Sequence, residues 1–198
     1  MSAIAIVDYG AGNPVSVKKA LDFLGHACSI TLDPACVAAA ERIVLPGVGH
    51  FAATENLERT GLRDAITAAI GRGAPFLGIC VGMQWMFARS EESPATAGLG
   101  LLAGACERFP ASVKSPHVGW NELDLDGASR LLRDIPPKSF AYFSHSFRAP
   151  LTPHTVAGCE YGGTFSAAIE RGNLFGVQFH PEKSGDLGMQ VLRNFCSL

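Results

Sequence analysis

Charge is sparse in this chain and nearly balanced. Only 17% of its 198 residues are Asp, Glu, Lys or Arg, against 47% hydrophobic. That composition excludes a solvated, disordered polymer. There is no basic excess either: 16 Lys and Arg face 18 Asp and Glu, for a net charge of −2. Recognition of nucleic acid through a basic field is therefore excluded. The Lys18-Lys19 pair is too short to alter that and reads as a solvated helix face. No apolar run approaches the ~20 residues that span a membrane. The chain opens without a basic segment, and Asp8 cuts its first apolar run short, so a secretory signal is not expected.

Other chemistry is missing as well. Cys28, Cys36, Cys80, Cys106, Cys159 and Cys196 form no CxxC pair, so no zinc site is expected. With no secretion signal, free thiols in a reducing cytoplasm are the expectation. There is no P-loop, no HExxH and no GxSxG. Gly10-Ala-Gly12 begins like a dinucleotide fingerprint, but Val15 stands at its third glycine position. Gly98-Leu-Gly100-Leu-Leu-Ala103 fits the form but follows a polar loop rather than a strand.

What is present is an alternation. The apolar run 3–8 reads as a buried parallel strand. Asn13-Pro14 then supplies an N-cap and a first-turn proline, Val17, Leu21 and Leu24 an apolar face, and Gly25 a stop. Residues 27–32 read as a strand, Asp33-Pro34 repeats the cap signal, and residues 42–45 form a third strand stopped by Pro46. Helical pattern follows from Thr54 to Arg72 with a break near Gly61, and residues 75–80 make a fourth strand. A helix is expected over Met83 to Ala88 and a Ser-, Ala- and Gly-rich loop over 89–105. Strand-like runs recur near 117–125, 139–147, 155–161, 165–171 and 174–179. A last amphipathic helix begins near Asp186, with Leu187, Val191 and Phe195 on one side. The order predicts an α/β fold with a parallel sheet, in one domain over 1–198.

Three motifs stand just past the ends of expected strands, the edge where open α/β sheets build sites. Gly78-Ile-Cys80-Val-Gly82 has the form of a nucleophile elbow. A helix N-terminus behind it would favour the thiolate. The same five residues also fit a buried Cys between packing glycines. His180-Pro181-Glu182 follows the apolar run 175–179, and in extended chain positions i and i+2 share a side. A carboxylate there could fix the imidazole's tautomer; a surface His-Glu pair reads equally from these residues alone. Pro46-Gly47-Val48-Gly49 could turn backbone amides toward an oxyanion, or be simply a turn. If the strands before Cys80 and His180 are parallel neighbours, the two side chains meet across 100 residues of sequence.

Together these segments resemble the class I, triad-type glutamine amidotransferases. Gly-Ile-Cys-Val-Gly-Met-Gln at 78–84 is similar to that family's nucleophile segment, and Gly-Val-Gln-Phe-His-Pro-Glu-Lys-Ser at 176–184 to its His/Glu segment. Asp-Tyr-Gly-Ala-Gly-Asn at 8–13, Pro-Gly-Val-Gly-His-Phe at 46–51, Pro-His-Val-Gly-Trp-Asn at 116–121 and Tyr-Phe-Ser-His-Ser-Phe-Arg at 142–148 resemble its histidine-biosynthesis branch. Pro14, Val81, Val118 and Phe147 depart from that branch's commoner residues.

The resemblance implies a three-layer, flavodoxin-like fold, with a mostly parallel central sheet extended by antiparallel strands. It implies Cys80 as nucleophile, His180 as base and Glu182 as its orienting carboxylate. Val48, Gly49 and Val81 would frame the oxyanion; Gly49, Gln84, Ser146 and Phe147 would hold glutamine. No metal or organic cofactor is implied. The implied partner is a separate (β/α)8-barrel cyclase, met through Asn13, Tyr142 and Lys183, which would use the released ammonia to make imidazole glycerol phosphate and an aminoimidazole carboxamide ribotide. A glutaminase serving another synthase, such as one making pyridoxal phosphate, a catalytically silent scaffold and a cysteine peptidase are the competing readings.

Overall fold

Local signals start and stop the helices of the first half. In the computed structural model, which describes residues 4–198, strand β1 is Ile4–Val7; Ala3, where that strand was expected to begin, lies outside the described residues. Asn13 caps α1 (Pro14–Phe23), its side-chain oxygen accepting from the Ser16 amide at 3.1 Å. After β2 (Cys28–Thr31), Asp33 caps α2 (Pro34–Ala39) in the same way, accepting from the Ala35 amide at 2.9 Å. These carboxamide and carboxylate oxygens satisfy amides that a helix start leaves without partners. β3 (Arg42–Gly47) leads to α3 (Glu55–Arg59) and α4 (Leu62–Gly71), split at Gly61, whose φ of +74° breaks the helix. β4 (Phe76–Cys80) and a single turn, α5 (Val81–Gln84), complete this half.

The second half is mostly strand: β5 (Phe87–Ser90), β6 (Leu102–Arg108), β7 (His117–Glu122), β8 (Asp124–Leu125), β9 (Phe140–His145), β10 (Phe147–Arg148), β11 (Thr155–Glu160), β12 (Thr164–Arg171) and β13 (Leu174–Val177). Helix α6 (Gly185–Cys196) closes it. The main sheet runs β2-β1-β3-β4-β13-β12-β11-β8. Its first five strands are parallel; β12, β11 and β8 extend it antiparallel. Every residue of β1, β4 and β13 is buried, as expected of strands covered on both faces. The path from β1 to β2 and back past β1 to β3, with right-handed crossovers, sets α1 opposite α2 and α4. In agreement, α2 contacts α4 while α1 contacts α6. The three layers match the fold expected from the sequence.

Three local expectations need correction. Pro46 does not stop β3, which continues to Gly47. Beyond Val44 only β4 pairs with it, so a residue lacking an N–H is tolerated on its free side. The helix expected over 83–88 is the single turn α5, and 89–105 is not one loop but contains parts of β5 and β6. A distant partner overrides local helix preference there. The Leu99, Gly98 and Leu102 amides donate to the carbonyls of Trp85, Ala88 and Met86, so the helix stops at a turn over 85–86 and the chain is extended from Phe87.

Helix α6 lies directly on the segment that follows β13. A Cβ at Gly188 would come within 1.8 Å of the Pro181 carbonyl oxygen. Gly188→Ala must push the helix off residues 180–182. It should lower the urea midpoint by the equivalent of about 1–3 kcal/mol and impair any chemistry that uses His180, as a denaturation curve paired with a turnover assay would read.

Candidate active site

β4 delivers Cys80 between two neighbours. On one side Gly47 of β3 is level with it; on the other, Gly176 pairs Gly78 and Val177 pairs Ile79, so residue 178 follows at the level of Cys80. Cys80 itself adopts φ +54° and ψ −108°. For a residue with a Cβ this is strained backbone, of order 1–3 kcal/mol, held by its surroundings. Two close approaches hold it. A Cβ at Gly82 would stand 2.0 Å from the Leu45 carbonyl oxygen, and one at Gly78 would stand 2.5 Å from the Gly82 oxygen. The turn can form only with glycine at both places, as the elbow pattern anticipates.

His180 is 1% exposed and its Nδ1–H donates to Glu182 Oε1 at 2.9 Å. Glu182's side chain is 2% exposed. In the neutral ring that bond leaves Nε2 as the basic atom. Nε2 is buried and, among the described residues, makes no formed hydrogen bond. Burial opposes the imidazolium, but the attraction of Cys80 and Glu182 outweighs it and lifts the His180 pKa to about 10. The His180 turn is fixed from outside: its amide donates to the Tyr142 carbonyl at 2.9 Å, and Ser184 Oγ donates to its carbonyl at 2.7 Å. A further buried polar atom near the thiol is Tyr9 Oη, which makes no hydrogen bond among the described residues; burial first, then the charge of Cys80, raises that phenol's pKa.

Cys80 opens into a cavity of 240 Å³ lined by Val48, Gly49, Val81, Gln84, Ser146 and Phe147, so the nucleophile, oxyanion and glutamine residues expected from the sequence meet at one space. Gly49 holds φ +100° there. Glu92, Pro116, Ser144 and His145 also line it; the last three lie in the segments 116–121 and 142–148 quoted above but were given no role, and Glu92 lies in no quoted segment. Glu92 lies in the stretch read as plain loop, where no periodicity marks it. Its Oε2 accepts from the Phe51 amide at 2.7 Å, tying that stretch to the segment after Gly49.

His145 belongs to a buried histidine pair at the cavity wall. The Phe147 carbonyl can only accept, so His145 Nδ1 donates to it at 2.8 Å, and His145 Nε2 accepts from His117 Nδ1 at 3.2 Å. Burial pushes His117 down to about 4 and His145 to about 3, the latter against the pull of the Phe147 oxygen and with the charges of His117 and His180 adding.

Tyr142 and Lys183 stand together outside this site, with Lys183 Nζ 5.9 Å from the Tyr142 ring centre. Trp120, 55% exposed, lies edge-on to Tyr142 at 6.1 Å. Asn13 is half-buried as the α1 cap, and α1 packs against 181–183. The described residues contain no helix long and apolar enough to cross a membrane and no group of three or more potential metal ligands.

Residues 5–197 match the family described as glutamine amidotransferase class-I. The chain is 50% identical over 201 residues to "Imidazole glycerol phosphate synthase subunit HisH" of Moorella thermoacetica, covering 100% of this chain and 96% of that one. It is 46% identical to the protein of the same name from Chlorobium luteolum, covering 98% of each. Among solved structures, one titled "Crystal structure of glutamine amidotransferase" superposes with a TM-score of 0.78 at 18% identity, over 98% of this chain and 97% of that chain.

The histidines make stability pH-dependent in both directions. His117 and His145 stay neutral in the fold down to about 4 and about 3 but protonate near 6.5 when unfolded. Their contribution is complete above that value and lost as pH falls toward the folded values, by at most about 1.4 kcal/mol per pH unit each. His180 is the reverse: its contribution is complete below about 6.5 and lost as pH rises through about 10. Urea unfolding at pH 7 and pH 5 should show a marked loss on acidification, and a shallower one in His117→Asn.

Proposed function

The chain belongs to the class-I glutamine amidotransferase family, and on that premise we propose that Cys80, His180 and Glu182 perform its chemistry as the glutaminase of an imidazole glycerol phosphate synthase. One observation carries the reading: His180 has Nδ1 committed to a buried carboxylate at 2.9 Å, beside a thiol held on a strained elbow. The base is thereby fixed in tautomer and direction before substrate arrives.

The steps follow. Sγ gives its proton to His180 Nε2 and attacks the side-chain amide carbon of glutamine. The developing oxyanion is met by backbone amides around Val48, Gly49 and Val81. The imidazolium returns the proton to the leaving nitrogen, ammonia departs, and a thioester remains. Water deprotonated by His180 then hydrolyses it to glutamate and the free thiol. Gly49, Gln84, Ser146 and Phe147 hold the substrate, and Glu92 offers the cavity a carboxylate suited to the α-ammonium group. No cofactor enters.

Ammonia is useful only unprotonated, and a sheltered route to an acceptor subunit keeps it so. The relatives' names describe subunits of a synthase. We assign the partner as a (β/α)8-barrel cyclase docking over Asn13, Tyr142 and Lys183, on residues 1–198 acting as one amidotransferase domain in the cytoplasm. The exposed aromatic ring of Trp120, edge-on to Tyr142, suits such a surface.

Glutamate release should vanish in Cys80→Ala. It should fall by about 10²–10⁴ in His180→Asn, the usual worth of a general base, and fall less in Glu182→Gln. Synthesis from added ammonia by the assembled synthase should survive Cys80→Ala. Lys183→Ala should weaken stimulation by the partner more than basal turnover. Wild-type glutaminase activity in His180→Asn would refute the triad.

A further inference from the structure

Gln178 is the one polar residue of the 175–179 run, and its side chain is fully buried. Its orientation follows from a fixed point. The Phe147 carbonyl accepts from Gln84 Nε2 at 2.8 Å, which sets the Gln84 amide. The second N–H of that nitrogen falls on the Gln178 amide at 3.0 Å, which must answer with Oε1. Gln178 is thus obliged to turn its own Nε2 the other way, where it lies 3.6 Å from Cys80 Sγ. The reverse orientation would set N–H against N–H at Gln84. A backbone carbonyl that cannot flip therefore propagates its polarity through two amides to the sulfur.

From this geometry we propose that Gln178 is a hydrogen-bond donor to the Cys80 sulfur that holds the thiolate while His180 carries its proton. The inference rests on Cys80 being the nucleophile. When the S–H bond breaks, its proton goes to His180 Nε2 and its electron pair stays on sulfur, where the Gln178 N–H meets it. No bond at Gln178 is made or broken. An amide suits this position: it donates to the anion without adding a charge that would compete with His180 for Glu182. Because its other end is tied to Gln84 on the cavity wall, the same amide links the residue lining the glutamine space to the attacking atom.

The test uses the full chain. Alkylation by iodoacetamide is followed at the Cys80 peptide by mass spectrometry from pH 5 to 10, beside steady-state glutaminase kinetics, for wild type, Gln178→Met and Gln178→Glu. Loss of a hydrogen bond to a charged group is worth about tenfold or more. In Gln178→Met the rise in alkylation should move up by about one pH unit and kcat should fall about tenfold, with KM for glutamine within about twofold. In Gln178→Glu, of the same shape, an anion beside the sulfur should move the profile higher still; that variant carries the test should the methionine one not fold. A kcat loss with an unmoved pH profile in both variants means a packing role and overturns the proposal. Unchanged kinetics in both, with Cys80→Ala inactive, also overturn it and leave the triad standing. Turnover that persists in Cys80→Ala overturns the reading beneath it.

Discussion

The parallel pairing of β4 with β13 is the constraint on which the rest of the site depends. The two strands are nearly 100 residues apart in sequence, yet Gly176 lies level with Gly78 and Val177 with Ile79. A slip of one residue would turn every side chain beyond them to the other face. In the observed register Gln178 and His180, two apart and so on one side, follow β13 just where β4 ends at Cys80. On the opposite flank, Gly47 pairs with Cys80 and leads directly into Val48 and Gly49. One row of backbone pairing thus brings together Cys80, His180, Gln178 and the Gly47–Gly49 loop, the residues to which the proposed chemistry is assigned. The buried apolar residues of both strands are what stabilise that row.

On this frame the protein holds groups that would be unfavourable elsewhere. The elbow backbone is strained, and His180 and Glu182 are withdrawn from water with only each other satisfied on one side. Measured against a well-packed apolar replacement, such pairs add little net stability, because desolvation offsets their attraction. Their value is directional. Once Nδ1–H is committed to Glu182, the only basic nitrogen faces the thiol. The neighbouring pair His117 and His145 works oppositely: burial keeps both rings neutral, so they transmit hydrogen-bond direction to Phe147 without contributing charge.

How much of this was legible depended on how local each signal was. The caps at Asn13 and Asp33 act within three residues, and both read correctly from sequence. So did the elbow, because Gly78 and Gly82 answer to their own turn and to Leu45 beneath it. The helix expected over 83–88 failed because its fate is decided by amides at 98–102, a pairing no local pattern announces. Glu92 was invisible for the same reason: its role comes from where β5 and the following turn carry it. Gln178 was hidden differently, as a polar letter inside an apolar run whose meaning depends on Gln84 and Phe147.

In the proposed mechanism one thiol among six does the chemistry. A glutamine analogue with an electrophilic side chain, added to the full chain and followed by peptide mass spectrometry, tests it most directly. The account predicts one adduct per chain, on Cys80, suppressed by excess glutamine and slowed in His180→Asn. Adducts chiefly on Cys28, Cys36, Cys106, Cys159 or Cys196, or labelling of Cys80 indifferent to glutamine, would contradict it.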